Sequence, residues 1–90
     1  MIATRRWTVE IFIDEHDDGT THAEARLHTS DKTHLTADGA ALPSPTDTVV
    51  PEIGDELAAA RALSELAHNL LLAAAEDMQQ IKHQRADLQG

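Results

Sequence analysis

Six histidines occur in a chain of 90 residues, and His16, His22, His28 and His34 recur every six positions. Neutral imidazole is a common ligand for zinc or nickel, and two imidazoles on neighbouring strands can share one ion. His28 and His34 are the candidate pair, with Glu24 or Asp31 near them in the chain. That set lacks a third strong ligand, and histidines that face outward from a strand are ordinarily just solvated. No metal is therefore assigned. The carboxylates Glu10, Asp14, Glu15, Asp17 and Asp18 crowd one region. The run Asp14-Glu15-His16-Asp17-Asp18-Gly19 has neither the spacing nor the closing Glu of a calcium loop, and it reads as a solvated acidic turn.

Other chemistry fares no better. The chain has no cysteine, which excludes disulfides, thiol catalysis and sulfur-rich zinc sites. Ser44 and Ser64 have no neighbouring motif that would activate a hydroxyl. Ile53-Gly54-Asp55 holds one glycine beside a carboxylate, which is not a phosphate loop. With no catalytic constellation and no cofactor motif, the sequence predicts a protein that is not an enzyme.

Charge narrows the partners. Seven basic residues against sixteen acidic ones give a formal −9. Binding a nucleic-acid backbone takes clustered Lys and Arg, and Arg5-Arg6 is the one adjacent basic pair here. Direct nucleic-acid binding is disfavoured. Thr8, Glu10 and Asp14 interrupt the apolar residues after Arg5-Arg6, unlike a secretory signal, and Leu70 to Ala75 is too short to span a bilayer. The expectation is a cytoplasmic protein without a membrane segment.

Hydropathy patterning supplies the elements. From about 6 to 14, Trp7, Val9, Ile11 and Ile13 alternate with Thr8, Glu10, Phe12 and Asp14, as a strand with one apolar face requires. Asp18-Gly19 supplies turn chemistry. A second strand from about 20 to 29 puts Thr21, Ala23, Ala25 and Leu27 on one face and His22, Glu24, Arg26 and His28 on the other. Pairing Ile13 with Thr21 brings the two apolar faces together. After Ser30-Asp31-Lys32, a third strand covers about 33 to 42, with Leu27 opposite Leu35, Ala25 opposite Ala37, Ala23 opposite Gly39 and His28 opposite His34. The segment 43–50 contains Pro43 and Pro45 and reads as a linker.

One long helix comes next, predicted over about 52 to 83, with Pro51 suited to its first turn and a frayed tail over 84–90. Glu52, Asp55 and Glu56 sit at its positive end, which makes that end a poor site for phosphate. At about 100° per residue, Ala60, Leu63, Ala67, Leu70, Leu71, Ala74, Met78 and Ile81 share one sector, with Leu66 at its edge. Arg61, Glu65, His68, Glu76, Gln79 and His83 fall opposite, and Arg61 is expected to pair with Glu65. The fold class is α+β: a three-stranded antiparallel sheet with one long C-terminal helix packed on it, in a single domain. Leu63, Leu66, Leu70, Leu71 and Met78 are the candidate core or interface residues, with Leu63, Leu70 and Leu71 expected opposite Val9, Ile11 and Leu27. An alanine-rich core buries little area, and a helix longer than the strands leaves apolar length uncovered, so a homodimer is expected.

Three blocks, Trp7 to His16, Thr21 to Leu27 and Pro45 to Leu66, resemble in order a family of short actinobacterial proteins classed as a domain of unknown function. The resemblance runs from residue 7 to about 81. It implies a fold like that of the double-stranded-RNA-binding domains and, from some members, an association with hypoxia or dormancy. Where the family carries a Gly-x-Gly stretch and then an Arg, this chain has Thr36-Ala37-Asp38-Gly39-Ala40-Ala41. The arrangement is also similar to part of the stationary-phase ribosome-hibernation factors, which implies a ribosome or RNA partner as the alternative to a protein partner. A working double-stranded-RNA-binding domain uses an N-terminal helix and a basic start to its last helix. Here six residues precede the first strand and the last helix begins with acids.

Overall fold

Residues 2–30, 34–42 and 51–89 are described by a computed structural model, with the side chains of the helix described as far as residue 82. The turn at Asp31-Lys32 and the linker over 43–50 lie outside the described residues. The elements run β1 (Thr8–Glu15), β2 (Thr21–His28), β3 (His34–Ala41) and α1 (Pro51–Gln89). The three strands form one antiparallel sheet in the order β1-β2-β3. The expected architecture is present. The helix extends beyond the expected end at residue 83.

The first hairpin keeps a connection of the expected length but turns one residue later than the sequence reading predicts. Glu15 pairs with Thr21, Ile13 with Ala23, Ile11 with Ala25 and Val9 with Leu27, a shift of two residues that preserves the faces. The turn explains the shift. Gly19 N–H donates to the His16 carbonyl at 2.9 Å and His16 N–H to the Thr20 carbonyl at 2.8 Å. Gly19 has a φ of 88°, the left-handed conformation that lets a tight turn rejoin the ladder. Asp18 Oδ1 accepts the Thr20 N–H at 2.9 Å, and this bond holds its carboxyl below the usual range. A two-residue shift is invisible to alternation, because it returns every side chain to its own face. The β2–β3 register is the expected one, from His28 opposite His34 to Ala23 opposite Gly39.

The helix lies over β2 and β3. Its buried stripe is Ala58, Ala62 and Leu66, with Leu70 packed against the edge, and it meets Ala23, Ala25, Leu27, Ala37 and Ala41 from the sheet. Six of those eight buried apolar residues are alanines. Small residues on both surfaces let the backbones come close, and Gly39 marks the closest point. A Cβ added there would stand 2.5 Å from the Ala58 carbonyl oxygen and 2.3 Å from the Ala62 nitrogen. The sheet-facing stripe is thus not the sector predicted around Leu63 and Ala67, which point away from the sheet. The wide apolar sector is real, but bulky side chains would hold the helix off the sheet, and the alanine edge of the helix packs instead.

Candidate functional site

The outer face of the sheet gathers most of the residues that could do chemistry. His28 and His34 are opposite one another on it. His28 Nε2 is buried and comes within 2.6 Å of Glu10 Oε1 without the alignment of a hydrogen bond. His22 Nε2 is 3.2 Å from Asp38 Oδ1. Arg26 pairs with Glu24, and its guanidinium lies 4.4 Å from the centre of the Phe12 ring. Among the described residues, no group of three or more His, Asp or Glu side chains converges on a point where a metal ion could sit. The face is a set of local polar contacts in which His22 and His28 each lie beside a carboxylate. Solvent-accessible contacts of this kind contribute little to stability.

The opposite side of the molecule is apolar and open. Because α1 sits over β2 and β3, it leaves the helix-side face of β1 uncovered. Trp7, Val9, Ile11 and Ile13 are all exposed there, Ile13 by 43%. The sequence reading places Leu63, Leu70 and Leu71 opposite Val9 and Ile11. The structure brings Leu66 and Leu70 to the alanine core and leaves Leu63, Leu71 and Met78 exposed, Leu71 by 71%. The unpaired β1 face is the part of the surface that sequence reasoning missed. Its signal was the contrast between bulky Val9, Ile11 and Ile13 and the small residues of β2 and β3, which decides where a helix can approach.

Arg61 fixes how the helix is turned. Its Nη1 donates to the Ala40 carbonyl of β3 at 2.6 Å, in place of the expected pair with Glu65. Arg61 therefore leaves α1 toward β3. Leu63 lies about 200° further round a helix of 3.6 residues per turn, so it leaves on the β1 side. Leu63 thus flanks the open face of β1, while Ala67, Leu71, Ala74, Met78 and Ile81 lie further round the helix or beyond the sheet and are also exposed. The molecule therefore has two exposed apolar faces, one on β1 and one along α1. Monomeric soluble proteins rarely expose large apolar patches without using them as interaction sites.

The chain is matched over residues 5–87 by the Rv2632c-like family. It belongs to that family. Its relatives include Mb1767 of Mycobacterium bovis, an uncharacterized protein 48% identical over 84 residues that cover 93% of this chain and 87% of the relative. Rv2632c of Mycobacterium tuberculosis, also uncharacterized, is 41% identical over 76 residues, covering 84% of this chain and 80% of Rv2632c. The crystal structure of Rv2632c aligns with a TM-score of 0.80 at 36% identity, over 91% of this chain and 95% of that one. Rv2632c shares the three-stranded sheet and long helix. Among the described residues, no helix is long and apolar enough to cross a membrane.

Proposed function

We propose that this member of the Rv2632c-like family is a non-enzymatic cytoplasmic protein that acts through protein–protein contact as a homodimer. The observation that carries the proposal is the set of bulky apolar side chains left exposed on β1 and along the outward stripe of α1. A core in which, among the described residues, no large side chain is fully buried supports it further. Area buried sets the hydrophobic contribution, at roughly 25 cal/mol per Å², and alanine offers little area. A second subunit supplies what the fold lacks. Size-exclusion chromatography with light scattering at micromolar concentration tests the reading. A mass twice the 9.8 kDa of the chain is the expected result, and a well-folded monomer would overturn it. We also propose a stress association, which rests on the resemblance of the three sequence blocks to hypoxia- and dormancy-linked proteins. Abundance of the protein that does not change between aerated and oxygen-starved cells would count against it.

A further inference from the structure

We infer that two copies of the chain pair through the outward stripes of their helices, antiparallel about a two-fold axis near Leu71. The inference rests on the homodimer reading and gives it a geometry. Two features carry it.

The first is length. A helix of 39 residues is about 58 Å long at 1.5 Å per residue. A strand of eight residues is about 27 Å long. Gly54 lies against Thr21 at one end of the sheet, and Leu66 and Leu70 reach its core near the other. Residues beyond Leu70 therefore run past the sheet, and Leu71, Leu72, Met78 and Ile81 are exposed there.

The second is the spacing of the exposed stripe. Ala60, Ser64, Ala67, Leu71, Ala74, Met78 and Ile81 succeed one another at intervals of four, three, four, three, four and three residues. That is the repeat with which one helix seams against another. Large and small residues are unevenly spread along it, with Ala60, Ser64 and Ala67 before Leu71 and Met78 and Ile81 after it. In a parallel pair each residue meets its own kind, so alanine faces alanine and leaves gaps. In an antiparallel pair the bulky end of one helix meets the small end of the other, and the seam fills.

The absence of native cysteine makes the test direct. Single-cysteine variants Ala60→Cys and Ala74→Cys of the full chain, each spin-labelled, place a probe far from the axis and a probe close to it. Both positions are exposed, and circular dichroism checks that each labelled protein is folded. With the axis near Leu71 and helices roughly 8–10 Å apart, the two Ala60 probes stand about 30–35 Å from each other. The two Ala74 probes lie close enough for strong dipolar broadening. A folded monomer by light scattering would defeat the homodimer reading itself. A dimer with the Ala60 probes at about the interhelical distance, roughly 10 Å, would keep that reading and overturn the antiparallel geometry. So would a dimer with no broadening at Ala74, which would join the copies elsewhere, for instance along the free edge of β1.

Discussion

Gly39 is the residue on which the packing of this protein turns. It stands in β3 opposite Ala23, where the helix backbone comes closest to the sheet. The atoms that a Cβ would meet belong to the backbone of Ala58, Arg61 and Ala62, so no side-chain rotation can relieve the contact. Gly39→Ala forces the helix away and loosens the alanine contacts on either side. Overpacking of this kind costs about 1–3 kcal/mol, at the high end where backbone must move. Thermal melts should show a large fall for Gly39→Ala and a smaller one for Ala40→Gly on the outer face, where only the backbone freedom of glycine, about 0.5–1 kcal/mol, is at stake. Equal small shifts in both would mean that the close approach contributes nothing. Residue by residue, the sequence was a partial guide. Gly39 was visible as a weak point in a strand, since glycine has no side chain to pack. Its use as a seat for the helix needs the helix position, which no local pattern contains. The same holds for Arg61, whose partner is a carbonyl twenty-one residues back in the chain and not an acid one turn ahead.

At the scale of elements, period decided what could be read. Strict alternation fixed which residues share a sheet face, and the β2–β3 register expected from it is the one observed. For β1–β2 two offsets keep the faces matched, and the turn at Gly19 makes the choice. The helix was harder because it is apolar on two sides. Ala58, Ala62 and Leu66 face the sheet, and the stripe from Ala60 to Ile81 faces outward. Hydrophobicity favours the bulkier stripe, but close packing on an alanine-rich sheet favours the smaller one. The two stripes should therefore respond differently to truncation. Leu66→Ala removes a buried side chain and should cost about 2–5 kcal/mol, enough to unfold much of a small domain. Leu71→Ala should leave the fold of the subunit intact and lower the dimer fraction seen by light scattering. Loss of folding in Leu71→Ala with no effect in Leu66→Ala would reverse the assignment of the two faces.

For the whole molecule, charge and shape point the same way. The chain extends 63 × 32 × 18 Å, a thin body with a helix that overhangs its sheet. Its net charge of −9 opposes approach to a phosphate backbone. Arg26 is engaged by Glu24 and Phe12, and Arg61 by the Ala40 carbonyl, so two of the seven basic residues are already committed within the fold. The sheet face beside Arg26 also carries Glu10, Glu24 and Asp38, whose charges offset it. Backbone binding gains most of its free energy from released counterions, so it is strongest at low salt and falls steeply as salt rises. Sedimentation with ribosomes and with duplex RNA over a salt series should show no co-pelleting at any concentration. Co-pelleting at low salt that disappears as salt is raised would identify an electrostatic RNA site despite the acidic charge. Co-pelleting that persists at high salt would instead point to an apolar contact, and Leu71→Ala in the exposed stripe of α1 would then test whether that contact and the helix pair compete for the same residues.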